Sequence, residues 1–290
     1  MDRASDSGSE GWGFESLLAC QNRQILQRFA DFVFTIAYAS LKGVTMTIAL
    51  ASLPVLNRQP EQNIETILRA MQICSGKTDL LVFGEAALHG FDCLTWDYDT
   101  DCALALSQTD PSIRRICHAA KRFGIGVSFG YFEKAANTIY SSQIVIDASG
   151  GVLYNFRRVS VGWKDLHRAD AHYREGERFG TFHYRSKCFT IGLCGDLWTD
   201  GCVEKVKKRH VDAVLWPVWC DYSPCEWNTQ SKYEYAQQAA LCGDHVLLVN
   251  PCCTVYDGAD AATGGSAYFR SGNIAAEIPA GSPGILFVDI

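Results

Sequence analysis

The sequence predicts a layered α/β fold built on mixed sheets, and three observations predict it. From Met46 onward, short apolar β runs alternate with segments whose apolar residues recur at helical spacing. The runs at 125–132, 139–147 and 152–159 follow one another with only turns between them, so the sheets are mixed rather than purely parallel. Hydrophobic residues make up 48% of the 290 positions and charged residues 20%, a composition that can bury a large core.

Residues 1–44 stand apart. They open with a Ser/Gly/acidic stretch and continue into a short predicted helix from Glu15 to Leu41, so they read as an N-terminal appendage outside the folded unit, which spans 46–290. Within that unit Thr47–Leu53 is a β run. Pro60 to Cys74 sets Ile64, Ile67, Leu68 and Met71 at helical spacing, with Gly76 closing the helix. Asp79–Phe83 is a buried strand that runs into Gly84 and Glu85. Pro111–Phe123 is a second helix, with Ile113, Ile116, Cys117 and Ala120 on one face. After the three consecutive β runs come strand 188–194, helix 201–210, strand 212–216, helix 226–242 and strand 245–249. Two or three antiparallel strands around Ser271–Gly272–Asn273 end the chain.

Charge and cysteine usage exclude several classes. With 26 Lys+Arg against 32 Asp+Glu the net charge is −6, opposite to the basic footprint of a nucleic-acid binder. Lys205, Lys207, Lys208 and Arg209 form the one basic run, which reads as a solvated helix face. No stretch reaches 18 uncharged apolar residues, so no membrane span is expected. Asp2, Asp6, Glu10 and Glu15 against Arg3 do not fit the positive start of a secretory signal. The thirteen cysteines include no C-x-x-C unit, which argues against a zinc site, and an odd number cannot pair completely. The expectation is a cytoplasmic protein with mostly buried free thiols, no metal and no cofactor.

Strand exits are where α/β folds gather functional groups. One exit here delivers Glu85, another Arg157, Arg158 and then Lys164, and a third Cys194. Taken singly, each has a plain structural reading: a helix-start carboxylate, a surface ion-pair partner, a core thiol. Together they supply a base, an oxyanion stabiliser and a nucleophile.

The segments carrying these residues resemble the nitrilase, or carbon–nitrogen hydrolase, superfamily over about 46–290. LVFGEAALHGF (81–91) is similar to the family segment in which a strand ends at the catalytic Glu, here Glu85. IYSSQIVIDASGGVLYNFRRVSV (139–161) is similar to the strand pair before the catalytic Lys, and GLCGDLW (192–198) to the nucleophile segment, with Cys194. HVDAVLWPVW, YEYAQQAALCGDHVLLVN and GGSAYFRSGN follow in the family's order. The resemblance implies an α-β-β-α sandwich of mixed sheets and a homodimer or larger homo-oligomer. It also implies a cysteine-dependent hydrolase that cleaves a small amide or N-carbamoyl substrate through a thioester and releases ammonia or an amine.

Two departures accompany it. Arg158 stands where the family carries its Lys, and Lys164 follows six residues later, beyond Gly162. Lys donates a proton more readily than Arg, so Lys164 is the preferred cation and Arg158 the alternative. No Glu fits the second carboxylate of many members, for which Asp170 and Glu175 are the nearest candidates. Gly195–Asp196 after the cysteine, in place of Trp–Glu, favours amides over nitriles. Glu85 is then the base, the Gly195 N–H an oxyanion donor, Asp196 a hydrogen-bonded turn residue and Trp219 a substrate contact. These departures also support the alternative of a non-catalytic nitrilase-fold binding or assembly subunit. A papain-like Cys–His enzyme is the weakest reading, because His183 and His210 lie on no recognisable motif.

Overall fold

Layering explains why the central β runs at 80–83 and 213–217 are buried on both faces. The computed structural model describes residues 38–39, 45–253 and 258–290. In chain order the elements are β1 (Tyr38–Ala39), β2 (Thr47–Ser52), α1 (Pro60–Cys74), β3 (Leu80–Phe83), α2 (Tyr98–Leu104), α3 (Pro111–Phe123), β4 (Gly126–Ala135), β5 (Thr138–Ile146) and β6 (Val152–Arg157). They continue with β7 (Phe182–Tyr184), β8 (Lys187–Ile191), α4 (Cys202–Lys207), β9 (Ala213–Pro217), α5 (Lys232–Cys242), β10 (His245–Val249), β11 (Gly264–Arg270), β12 (Asn273–Ala280) and β13 (Gly284–Asp289).

The described strands form two mixed sheets, ordered β1-β13-β2-β3-β4-β5-β6 and β12-β11-β10-β9-β8-β7. Side chains alternate across a strand. Ile48, Leu50, Leu80 and Val82 of the first sheet accordingly join Ile191, Leu215, Trp216, Leu247 and Val249 of the second in one core cluster between the sheets. Their sequence neighbours Ala49, Ala51, Leu81 and Phe83 are also buried but lie outside that cluster, on the first sheet's other face. The apolar stripes of α1 (Ile64, Ile67, Met71) and α3 (Ile113, Ile116, Ala120) are buried outside it too, and these two helices pack on each other. Burying each large aliphatic side chain stabilises by about 1.5–3 kcal/mol.

Local chemistry fixes the helix ends. α1 and α3 both begin with Pro, which lacks only an N–H that has no partner at that position. Asp110 accepts from the Ser112 N–H at the start of α3, and Gly124, at φ 68°, closes it.

Four features depart from the sequence reading. Helix α2 and strand β7 were not expected. The helix expected over 226–242 is present as one continuous helical run over 224–242, but it carries an unexpected wide π turn at Trp227–Ser231 before α5. There Trp227 packs so closely on Gly265 that a Cβ on the glycine would fall 2.8 Å from Trp227 Nε1. At the C-terminus, β11 and β12 form the expected hairpin, but β13 crosses to the other sheet and pairs antiparallel with β2. Finally, Tyr38–Ala39 pair in parallel with Phe287–Val288 instead of continuing a helix to Leu41, because the edge of β13 supplies backbone partners. The rest of that expected helix lies outside the described residues. Among the described residues no helix is long and apolar enough to cross a membrane.

Candidate active site

β3 ends at Phe83, and the next two residues reach the junction of the two sheets. A Cβ on Gly84 would fall 2.5 Å from Pro251 Cδ and 2.9 Å from the Val218 carbonyl, so only glycine lets the chain pass. The Glu85 N–H then donates to the Val218 carbonyl across the sheets at 3.2 Å. Gly130 of β4 lies directly under this backbone, where a Cβ would collide with the Ala86 nitrogen. Glu85 is thus set by backbone contacts on two sides and is fully buried.

Burying an ionised carboxylate is costly unless it is paired and hydrogen-bonded. Ser141 Oγ donates to Glu85 Oε1 at 2.9 Å, and Arg158 Nη1 donates to both carboxylate oxygens at 2.9 and 3.1 Å. Arg158 is itself 3% exposed. Its Nε donates to Ser160 Oγ at 2.9 Å. Burial alone pulls its pKa down, but attraction to Glu85, then to Cys194 and Asp196, outweighs this and leaves the guanidinium above its ordinary value. The third nitrogen, Nη2, has no hydrogen-bond acceptor among the described residues. It lies against Gly195, where a Cβ would stand only 2.7 Å away.

Cys194 follows β8 by three residues and sits at φ 48°, in the left-handed region. A non-glycine residue there carries a local backbone cost, a strain that tends to collect at functional turns. Its thiol donates to the Trp219 carbonyl at 3.7 Å, and its own carbonyl accepts from Trp216 Nε1 at 2.9 Å. Asp196 ties this turn to the cation segment. Its Oδ1 accepts from the Val159 and Ser160 N–H groups at 3.0 and 2.7 Å, and its Oδ2 from the Leu193 N–H at 3.0 Å. Burial raises the Asp196 pKa more than Arg158 and these N–H groups lower it.

Of the residues the sequence singled out, the structure brings together Glu85, Arg158, Gly195, Cys194 and Asp196. Trp219 borders them through its carbonyl, while its ring stacks on Phe91 (centroids 5.9 Å apart) and its Nε1 donates to the Asp260 carbonyl at 2.6 Å. Lys164 is engaged elsewhere. Its ammonium donates to the Tyr173 carbonyl at 2.9 Å and pairs with Glu175 at 2.6 Å. Gly162 does not turn this side chain onto Glu85; the cation on that carboxylate is Arg158. The two candidates for a second carboxylate are likewise occupied away from Glu85, Glu175 by Lys164 and Asp170 by His172 at 3.0 Å.

The sequence reading missed Ser141, Cys220, Tyr235 and Asn250. Ser141 is placed by the pairing of β4 with β5, while Cys220 and Asn250 follow β9 and β10, parallel neighbours of one sheet, with Tyr235 of α5 against Cys220.

The fold, with two mixed sheets back to back and helices outside, is the α-β-β-α sandwich of nitrilase-type amidases. The carbon–nitrogen hydrolase family model matches residues 47–290, and the chain belongs to that family. Among solved structures, an amidase from Nesterenkonia sp. AN1 is similar at TM-score 0.70 with 19% identity, covering 87% of this chain and 93% of that one. A glutamate-to-glutamine mutant of that amidase shows covalent addition of the acetamide moiety of fluoroacetamide at the active-site cysteine. A hydrolase in the pqqF 5′ region of Pseudomonas protegens is 32% identical over 129 residues, 44% of each chain. N-carbamoylputrescine amidase of Oryza sativa subsp. japonica is 23% identical over 124 residues, 42% of this chain and 41% of its own. The matched stretches thus span less than half the length of these two relatives.

Proposed function

We propose that this chain hydrolyses a non-peptide C–N bond in a small amide or N-carbamoyl substrate, with Cys194 as nucleophile, Glu85 as base and Arg158 as the cation. The observation that carries this reading is the unengaged Arg158 Nη2 beside Gly195, next to the thiol. Every other strong donor of the guanidinium is committed to holding Glu85 and Ser160. One charged donor remains for an oxygen that acquires negative charge.

A free thiol is only a few per cent thiolate at neutral pH and gains from a neighbouring base. Glu85 takes the Cys194 proton as sulfur attacks the carbonyl carbon. The developing oxyanion is held by Arg158 Nη2 and the Gly195 N–H, a contribution of about 3–4 kcal/mol per well-placed donor. Collapse expels the amine or ammonia with the proton from Glu85 and leaves a thioester. Glu85 then deprotonates water for the second half-reaction. Arg158 keeps its proton throughout, so proton transfer falls to Glu85 alone, and the cation contributes charge and position.

The relatives' names support amide-type substrates, and N-carbamoyl compounds belong in the first screen beside simple amides. Ammonia release across such a panel tests the activity. Iodoacetamide should alkylate Cys194 faster than the other cysteines. No ammonia from any substrate, with Cys194 alkylated no faster than its neighbours, would leave the non-catalytic subunit as the better reading, which Arg158 in the family's Lys position favours.

A further inference from the structure

Cys194 has a second thiol against it that the proposed chemistry does not use. Cys220 lies three residues beyond β9, as Cys194 lies three beyond β8, and β8 and β9 are parallel neighbours with Ile191 opposite Leu215. The Cys194 thiol donates to the carbonyl of Trp219, the residue before Cys220, at 3.7 Å, and the Cys220 thiol lies 3.1 Å from the Tyr235 hydroxyl. Asn250 clamps Cys220 from both sides: its Oδ1 accepts from the Cys220 N–H and its Nδ2 donates to the Cys220 carbonyl, each at 2.9 Å. Trp216 holds the Cys194 carbonyl in the same way. Both backbones are therefore fixed, the Cys194 thiol sits at the Trp219–Cys220 peptide, and both cysteines are free. A disulfide spans Cα separations of about 4.4–6.8 Å, and the Cys194 thiol already rests on the peptide unit that joins Trp219 to Cys220.

We propose that Cys194 and Cys220 form a reversible disulfide when a hydroperoxide enters the site. The Cys194 thiolate attacks one peroxide oxygen, the O–O bond breaks, and hydroxide leaves to give a sulfenic acid. Cys220 sulfur then attacks the Cys194 sulfur. The S–S bond forms, the S–O bond breaks, and the departing hydroxide carries off the Cys220 proton as water. The balance is two thiols and one hydrogen peroxide to one disulfide and two waters. Contact with Cys194, and then burial, holds the Cys220 pKa well above the ordinary thiol range, so Cys220 is not the thiol that meets peroxide first. It acts second, where its fixed proximity gives a unimolecular advantage. The cross-link caps the nucleophile and keeps it from advancing to the sulfinic acid, which ordinary thiols do not reverse.

Loss of turnover on oxidation rests on Cys194 being the nucleophile; the cross-link itself does not. The test treats the full chain with hydrogen peroxide, blocks remaining thiols with iodoacetamide and maps peptides by mass spectrometry, with ammonia release followed in parallel. The expected result is a Cys194–Cys220 linked peptide pair that disappears with dithiothreitol as Cys194 alkylation and turnover return. Cys220→Ser and, as a second variant, Cys220→Ala should yield no such pair, and Cys194 should instead accumulate as the sulfinic acid, unrecoverable by dithiothreitol. The wild-type mass map needs neither variant to fold. Peroxide converting wild-type Cys194 to the sulfinic acid with no linked pair, or linking it to another cysteine, overturns the proposal. A linked pair in a chain that never releases ammonia supports the disulfide and removes only the hydrolase reading.

Discussion

Arg157 and Arg158 are consecutive residues of one sequence with opposite surroundings. Arg157 sends Nε and Nη2 to the two oxygens of Glu133 at 2.8 and 2.9 Å, lies 3.9 Å over the Tyr140 ring and keeps a side chain 34% exposed. Arg158 faces the other way, onto Glu85, in the interior. Alternation along an extended chain accounts for the split. The two carboxylates differ in what is left over. Glu133 accepts from Arg157, Gln108, Ser142 and Asn155, so its oxygens are filled. Glu85 accepts from Ser141 and Arg158 alone among the described side chains, and Arg158 retains a free nitrogen. A saturated ion pair is architecture; an unsaturated one beside a thiol can react.

Removing the interior cation should give the largest effect. Arg158→Met strands a buried Glu85 carboxylate, which costs about 3–5 kcal/mol of stability. The proposed oxyanion contact goes with it, lowering kcat about 10²–10³-fold. Urea denaturation and ammonia release measure the two losses. Arg158→Lys should recover part of the rate, because the charge returns without the fork that reaches Glu85, Ser160 and Gly195 together. Full activity in Arg158→Met would end the distinction between the two arginines.

Asp196→Asn comes next. Asp196 accepts three backbone N–H groups, and an amide nitrogen can replace only one of its oxygens by turning a donor toward a donor. The expected cost is about 1–3 kcal/mol. Because the same carboxylate ties 159–160 to 193, kcat should fall more than KM rises as Arg158 and Cys194 lose register. An equal change in both would mean that Asp196 only supports the fold.

Arg157→Met should be milder, about 1–2 kcal/mol, since Glu133 keeps three other donors and the lost guanidinium is partly solvated. Its signature is in pH. Burial pushes the Glu133 pKa up, but Arg157 and the other hydrogen bonds more than offset this, leaving it below its usual value. A carboxylate depressed on folding contributes stability above its unfolded pKa, and that contribution fades as pH falls through the folded one. The gap between wild type and Arg157→Met should therefore be full at neutral pH and close on the acid side of the usual Glu range. A gap that is constant with pH would assign the loss to packing on Tyr140 instead.

How much of this was legible in the sequence depends on whether the information is local. The helices at Pro60–Cys74 and Pro111–Phe123 were readable to the residue, because proline starts, stripe spacing and a Gly stop act within a few positions. Glu85 and Cys194 were readable as candidate site residues following apolar strands, and Arg158 and Lys164 as alternative cations; which of the two meets Glu85 was not. Gly162 suggested a chain reversal that would return Lys164, whereas the contacts the two cations make, Glu175 with Lys164 and Gly195 with Arg158, belong to packing. Cys220 was hidden for the same reason: its meaning depends on a sulfur 26 residues earlier across a strand pair. The π turn at Trp227–Ser231, where Trp227 lies close on Gly265, is likewise not encoded in local periodicity.

The smallest expected effect is the one that tests this reading of the cation most directly. Lys164 lies six residues from Arg158 and has the chemical identity the family uses, yet its partners are the Tyr173 carbonyl and Glu175. The pair is partly exposed, with side chains 14% and 24% accessible, so its contribution is near that of a surface bridge, about 1 kcal/mol or less. Lys164→Ala should cost that much in urea and leave kcat within a few-fold of wild type. If kcat instead falls about 10²-fold while KM is unchanged, Lys164 contributes to the transition state, and the interior ion pair of Arg158 and Glu85 becomes a frame for a lysine that moves in with substrate. The double variant Lys164→Ala with Arg158→Met separates the cases. Losses that add assign the chemistry to Arg158 alone, and losses that saturate place both cations in one catalytic unit.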